Sequence, residues 1–399
     1  MRGRPPHEVA EIFERYLSSA DGLGARAWSP QQRAVADAIL ACRTAWLGGH
    51  VDACDACGHT EISYNSCRNR HCPKCQGGAQ AHWLEARQAD VLPTPYAHVV
   101  FTLPHTLAPL ALQNPRVLYD LLLRTAASTL QDVAANPRHL GARLGFFAIL
   151  HTWGQTLIHH PHVHCVVPAG GLDPDGRTWR PCRPGFFLPV KVLGRLFRGR
   201  FLAELHRAFG EGRLEFHGTL SHLRCPAAFG RLLQQARSID WVVYAKPPFD
   251  GPANVLAYLA RYTHRIAISN HRLLDVDHQA VTFRYKDYRS LRTRSLILSL
   301  AEFTRRFLLH VLPKGFVRIR YYGLLAHACR VTSLQACRLA LGQPPADSDP
   351  VLLDLNHDPP CPDPSPPEPR TCPACKKGQL RCIQVLERPP PTCRGLHAA

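Results

Sequence analysis

His151-Thr-Trp-Gly-Gln-Thr-Leu-Ile-His-His-Pro-His-Val-His-Cys-Val-Val-Pro-Ala-Gly-Gly171 decides how the rest of the chain is read. At its centre, His162-Val163-His164 runs into the apolar residues Cys165, Val166 and Val167, and this run reads as a strand. A strand has a period of two, so His162 and His164 share one face and Val163 lies on the other. Pro161 stands at the first residue of the strand, where a proline is tolerated, and Gly170-Gly171 supplies the turn that ends it. A lone histidine in a strand would read as half-buried and satisfied by backbone carbonyls. Two at this spacing, with His159 and His160 beside them, favour a site that chelates one divalent ion.

The chain has 399 residues, long enough for more than one domain, and with 45% hydrophobic and 20% charged residues most of it is expected to fold. Its 48 Lys and Arg against 30 Asp and Glu leave a formal charge of +18, which points to a polyanionic partner. A membrane surface would attract the same charge. However, no apolar run approaches the roughly 20 residues of a membrane span, and Glu8, Glu11 and Glu14 stand where a secretory signal would be apolar. The sequence is therefore expected to be a soluble cytoplasmic protein, associated with the nucleoid when acting on DNA.

Of 16 cysteines, five lie between Cys54 and Cys75 and five between Cys361 and Cys393, a clustering that in a reducing compartment signals metal sites. Residues 7–17 and 30–46 have helical periodicity, the second opened by Ser29-Pro30. Cys54-x-x-Cys57-Gly58 and Cys72-Pro73-Lys74-Cys75 then form two thiolate knuckles. Cys54, Cys57, Cys72 and Cys75 are the favoured tetrahedral ligands of one structural Zn2+; Cys67 or His71 could replace one, and His50 or His59 could join a second site. The basic loop between the knuckles presents Arg68, Arg70 and Lys74 as candidate DNA contacts, although a short charged loop can equally be a solvated one.

Further along, a strand is expected at 96–103, a helix at 115–133, an apolar strand at 144–150, a basic helix at 188–209 and strands at 214–223 and 239–245. A short helix beginning near Pro252 carries Tyr258 and Tyr262 four residues apart, hence on one face. Such a pair is ordinarily a core stripe, but Arg261, His264 and Arg265 surround this one. Together with a divalent ion, Mg2+ or Mn2+, on His162 and His164, a tyrosine oxygen could attack a scissile phosphate and form a covalent protein–DNA ester. A phenol of pKa near 10 needs a cation or base nearby. Lys246, Arg261 and His264 are the candidates.

Residues 281–320 are expected to continue the sheet, with a helix at 296–309. Between Arg284 and Arg320 ten basic residues face two acidic ones, with Tyr285, Tyr288, Tyr321 and Tyr322 interleaved. Arg284, Lys286, Arg292 and Arg294 read as part of a stacking and phosphate-tracking surface for single-stranded DNA. A helix is expected at about 323–340. Residues 344–369 hold ten prolines and read as a linker, followed by the knuckle Cys372-Pro-Ala-Cys375, with Cys361 before it and Cys382 and Cys393 beyond; a second zinc site there stays open, since no second Cys-x-x-Cys closes it.

Asn65-Ser-Cys-Arg-Asn-Arg-His-Cys-Pro-Lys-Cys75 resembles the N-terminal zinc-binding domain of the rolling-circle transposases of the insertion-sequence-91 family. The stretch 151–171 resembles that family's His-hydrophobic-His motif, Tyr258-Leu-Ala-Arg-Tyr262-Thr-His-Arg-Ile-Ala-Ile-Ser-Asn-His271 its tyrosine motif, and Phe316-Val-Arg-Ile-Arg-Tyr-Tyr-Gly323 its C-terminal block. The resemblance implies an α+β fold with an HUH endonuclease core, in which a central antiparallel sheet is packed by helices and carries the metal-bound histidines. It also implies cleavage and rejoining of single-stranded or hairpin ends of the protein's own mobile element through a 5′-phosphotyrosine. The free 3′ hydroxyl would then be handed to the host replication machinery. Relatives that use one tyrosine would match Tyr262 here. The family's third metal ligand would be one of His98, His105, His159 and His264.

The expected organisation is a zinc-binding DNA-binding domain over 1–92, a catalytic domain over 93–341, a linker over 342–370 and a tail over 371–399. Two other functions compete: a metal-dependent hydrolase built on a barrel around His162-x-His164, and a zinc-containing DNA-binding regulator without catalysis. The second gives no role to the histidine and tyrosine pairs.

Overall fold

The computed structural model describes residues 5–78, 81, 84, 90–249, 266–288, 290–343 and 370–389, and the chain alternates between two units. In the first unit it forms helices α1 (Val9–Leu17) and α2 (Pro30–Ala41) and the hairpin β1 (Gly49–Cys54) and β2 (Thr60–Tyr64). It then enters the second unit with strand β3 (Tyr96–Thr102), helices α3 (Ala108–Gln113) and α4 (Pro115–Ala135), and strands β4 (Gly145–Trp153) and β5 (His159–Pro168). The small strands β6 (Gly170–Leu172) and β7 (Trp179–Pro181), helices α5 (Val190–Gly210) and α6 (Pro226–Ser238), and strand β8 (Val243–Phe249) follow. The chain returns to the first unit for β9 (Leu273–Val276), β10 (Ala280–Lys286), β11 (Thr293–Ser299) and α7 (Leu300–Leu308). It goes back to the second for β12 (Ile319–Gly323) and α8 (Arg330–Ala340), and in the first unit again adds β13 (Arg370–Thr371) and β14 (Gln379–Leu386).

The second unit is built on a five-stranded antiparallel sheet in the order β12-β4-β5-β3-β8. Alternation along the strands sorts its two faces. Val163, Cys165 and Val167 of β5, with Ala97, Val99 and Phe101 of β3 and Phe146, Ala148 and Leu150 of β4, pack under α4 and α5. The opposite face holds a smaller cluster of Tyr96, Phe147, Ile149, Val166 and Ile319. Pro115 at the first turn and an almost continuous apolar face make α4 a buried 21-residue helix against this sheet.

In the first unit Val9, Ile12, Phe13 and Tyr16 recur at helical spacing and bury one face of α1. Phe13 meets Phe307 of α7 edge-on at 5.4 Å, and Phe303 meets Phe283 of β10 at 5.9 Å. Ser29 forms a reciprocal capping box with Gln32 at the start of α2. Two sheets complete the unit, β13-β14-β1-β2 and β11-β10-β9.

This architecture departs from the linear division expected at residues 92, 341 and 370. Residues 266–311 do not continue the central sheet, whose edge strands are β8 and β12; they form a separate three-stranded sheet in the first unit. Residues 293–299 are strand rather than helix, because Ser299 caps the helix by accepting from the Glu302 amide and so starts it at Leu300. The strand expected at 214–223 is instead a coil leading into the 3-10 turn Gly218–Arg224. The segment 344–369 lies outside the described residues, but part of the tail folds as β13 and β14.

Gly323 ends β12 at a φ of +59°, and a Cβ there would clash with the carbonyl oxygen of Leu144. Gly323→Ala is therefore expected to cost roughly 1–3 kcal/mol of stability, read as a lowered midpoint in thermal or urea denaturation. An unchanged midpoint would contradict this backbone arrangement.

Candidate metal centre

The face of the central sheet turned away from α4 and α5 carries the histidines. On β5 His162 and His164 are two residues apart, and β4 pairs antiparallel with β5 so that His151 lies directly opposite His162. The loop between the strands closes with the Gly154 amide donating to the Ile158 carbonyl at 2.9 Å, and that sets the register. One nitrogen from each of His151, His162 and His164 lies within 4.8 Å of the others. The ring centroids are 4.8 Å apart for His162 and His164 and 4.4 Å for His151 and His164. His151 and His164 are buried, while His162 is half-buried at the edge of the group.

Neighbouring groups constrain the tautomer of His162 and the orientation of His164. Nδ1 of His162 lies 2.7 Å from the carbonyl oxygen of His160, an acceptor only, so Nδ1 carries the proton and Nε2 keeps its lone pair. Nδ1 of His164 lies 2.7 Å from Nε2 of His98 on β3, with the two rings within 5° of parallel. Burial, followed by the charges of Lys246 and His162, holds the His98 imidazole down at about 3, so it stays neutral. One proton is shared across that contact, and when Nδ1 of His164 is its donor, Nε2 of His164 presents the lone pair a cation would take. Three imidazoles aimed in this way form a donor set that fits a first-row divalent ion.

Among the described residues the third member of the group is His151, which was not among the four candidates; of these, His264 lies outside the described residues. His98 stands behind His164 as a hydrogen-bond partner. His159 points to the helix side of the sheet, where Nε2 lies 2.8 Å from the Tyr119 hydroxyl. His105 is exposed in the 3-10 turn His105–Leu107. Lys246 on β8 pairs in register with His98 and is exposed on the histidine face, as is Tyr244, which aligns through Val100 with His164. Tyr258, Tyr262, Arg261, His264 and Arg265 lie outside the described residues.

The four cysteines expected to share one zinc do not converge. Cys72 and Cys75 group with Cys42, at the end of α2, and Cys67; Cys54 and Cys57 group with Cys372 and Cys375. In the first group the Sγ atoms of Cys42 and Cys67 lie 3.5 and 3.6 Å from that of Cys75. A tetrahedral Zn2+ with Zn–S of about 2.3 Å separates its sulfurs by about 3.8 Å, so the cluster fits the ion. The sulfurs perturb one another strongly: hydrogen bonding, first from Cys67, draws the Cys42 thiol down to about 7, while Cys42 raises both Cys67 and Cys72. Four thiolates in one volume need a cation between them.

The expected DNA contacts are also redistributed. Lys74 is drawn inward, its Nζ 2.7 Å from Glu8 and 3.0 Å from the Cys42 carbonyl, and so ties the zinc loop to its own unit rather than facing a phosphate. Arg68 remains exposed on that loop, and Arg70 is half-buried. Arg284, Lys286, Arg292 and Arg294 are exposed on or between β10 and β11 of the first unit, Lys286 over the Tyr288 ring at 5.8 Å and Arg294 beside Asp287 at 3.3 Å. Tyr321 and Tyr322 belong instead to β12 of the second unit, where they pack partly buried and burial pushes the Tyr322 phenol up to about 12. The interleaved aromatic surface expected over 284–322 is therefore split between the units.

Among the described residues no helix is long and apolar enough to cross a membrane. Two family models match the chain, one described as "Transposase zinc-binding domain" over residues 9–103 and one as "Putative transposase" over residues 145–332. No solved structure matches. The chain is 53% identical over 390 residues to "Putative transposase y4qJ" of Sinorhizobium fredii (strain NBRC 101917 / NGR234), covering 97% of this chain and 98% of that protein. It is 33% identical over 296 residues to "Transposase for insertion sequence element IS801" of Pseudomonas savastanoi pv. phaseolicola, covering 72% of this chain and 69% of the relative. With that coverage, and with the zinc-binding domain in place, the chain belongs to the IS91/IS801 family of transposases.

Proposed function

We propose that this transposase cleaves and rejoins single-stranded DNA at the ends of its own element through a 5′-phosphotyrosine intermediate, using a divalent ion held by His151, His162 and His164. The observation that carries the reading is the convergence of these three imidazoles on the sheet face turned away from α4 and α5, with the tautomer of His162 set by the His160 carbonyl and His164 held by His98. A divalent ion there would polarise the scissile phosphate and stabilise charge on its oxygens. An all-imidazole site suits Mn2+ and later first-row ions better than Mg2+, which prefers oxygen.

In the proposed step a phenolic oxygen of Tyr258 or Tyr262 forms the bond to phosphorus and the bond from phosphorus to the 3′ oxygen breaks. The phenol gives its proton to a base, and the departing 3′ oxygen leaves as a hydroxyl after taking one up. Attack by a 3′ hydroxyl on the phosphotyrosine reverses the exchange and rejoins the strand. Lys246, on the same face as the histidines, is the proposed cation that favours the phenolate. Arg68 on the zinc loop and Arg284, Lys286, Arg292 and Arg294 on the first unit's sheet are the proposed backbone contacts, joined by Arg261 and Arg265. A barrel hydrolase finds no support in a sheet whose described strands pair antiparallel.

The double variant Tyr258→Phe/Tyr262→Phe is expected to lose the covalent protein–DNA adduct on denaturing gels while still binding the substrate. An adduct that persists and maps by mass to Tyr244 would overturn the assignment. His151→Ala is expected to abolish Mn2+-dependent cleavage with zinc content unchanged, and full activity in this variant would remove His151 from the site. His98→Ala should weaken Mn2+ binding about 10- to 100-fold, read by electron paramagnetic resonance of free Mn2+; unchanged affinity would leave His98 a packing residue only.

A further inference from the structure

Cys372 and Cys375 lie outside both segments that the family models match, and they come together with the other cysteine pair, some 315 positions earlier. The Sγ of Cys54 is 3.7 Å from that of Cys375, and the Sγ of Cys57 is 3.8 Å from that of Cys372. These are the separations expected at the corners of a ZnS4 tetrahedron, about 3.8 Å, and far longer than the roughly 2.05 Å of a disulfide. Each knuckle also turns a backbone amide onto a sulfur, Ala56 N–H to Cys54 Sγ at 3.4 Å and Gly378 N–H to Cys375 Sγ at 3.3 Å.

The surroundings are shaped to bring the two knuckles together. Strand β14 pairs along the whole of β1, and the Asp55 carboxylate accepts from the Gln379 amide at 2.8 Å. Buried Asp52 receives Arg370 at 3.0 Å. Gly378 comes so close to the first knuckle that a Cβ would lie 2.6 Å from Cys54 Sγ and 2.7 Å from Asp55 Oδ1. What is missing is apolar burial. Ile383 and Val385 of β14 are 63% and 72% exposed, and the local core consists of Cys54, Cys372 and Leu380, with Cys375 packed against it. A small module with so little core needs a staple.

We propose that Cys54, Cys57, Cys372 and Cys375 bind a second structural Zn2+, distinct from the one on Cys42, Cys67, Cys72 and Cys75, and that the tail is thereby a working part of the zinc-binding module. Four thiolates close the coordination sphere, so this ion holds the fold and takes no part in the reaction. Ligands contributed by two distant segments make its affinity depend on both, so losing either pair empties the same site.

The full chain, purified with Zn2+ and exchanged into metal-free buffer, is expected to carry two zinc ions by elemental analysis. Cys372→Ser/Cys375→Ser should carry one, Cys54→Ser/Cys57→Ser should carry one, and combining all four changes should still leave one, whereas Cys67→Ser should lose the other ion. If the serine variants fail to fold, alkylation of the unaltered protein mapped by mass decides the matter. Cys57 is exposed, so it should resist alkylation together with Cys54, Cys372 and Cys375 only while metal is bound, and all four should become reactive on chelation. The proposal is overturned by a Cys372→Ser/Cys375→Ser protein that keeps two ions, by Cys57 reacting at the rate of a free thiol in zinc-loaded protein, or by a Cys57–Cys372 disulfide in the reduced preparation.

Discussion

The second unit depends on one constraint, the alternation of side chains along β5. Odd-numbered residues from Val163 to Val167 are driven under α4 and α5 by apolar burial, and this fixes the even-numbered His162 and His164 on the other face. A slip of one residue would bury the imidazoles under two helices and carry the apolar row to the opposite face. The hydrophobic effect, which is non-directional, thereby orients the polar chemistry with the precision of the pleat. The hairpin register adds His151 and the β3 pairing adds His98 without any separate device. The same alternation places Tyr244 and Lys246 of β8 on the histidine side.

Much of this was legible in the sequence where the signal is local. The strand around His162, the helix opened by Pro115 and the capped helix at Ser29 all follow from spacing and caps. What was not legible depends on partners distant in the chain. His151 lies within the decisive stretch, but its partnership with His162 is fixed by how the five residues 154–158 turn, and no periodicity encodes that. A reading of 144–171 as one hairpin closed by Gly154 and Ile158 would have found it. Cys42 was passed over because it is a single cysteine at a helix end, with none of the Cys-x-x-Cys spacing that identifies a knuckle. Lys74 resembled a DNA contact because Glu8, its ion-pair partner, is remote in sequence. The exposed basic residues of 284–294 were read correctly as a charge block but assigned to the wrong sheet, since strand propensity does not say which edge a strand joins.

Metal chemistry divides between the units by ligand type. Both thiolate groups lie in the first unit, the one on Cys54, Cys57, Cys372 and Cys375 over a thin apolar core, and the imidazoles lie on a sheet of the second unit whose core is ample. Soft sulfur ligands hold a closed tetrahedral ion for architecture, whereas three imidazoles leave coordination positions for substrate oxygen and water.

The first unit joins segments from opposite parts of the chain: the Gln32 side chain donates to the Leu308 carbonyl, 276 positions away, and the Val9 amide donates to Asn270, 261 positions away. At a synthesis rate of about 5–20 residues per second, α1 would emerge from the ribosome roughly 15–60 seconds before the helix that meets Phe13 edge-on. Throughout that interval Trp28, stacked on Tyr16 at 5.8 Å and 6.3 Å from Phe13, gives its apolar stripe part of its native cover, and the part that meets Phe307 waits. Nascent chains of this transposase therefore carry a half-covered apolar helix for most of their synthesis, and the first unit can close only when the chain is nearly finished.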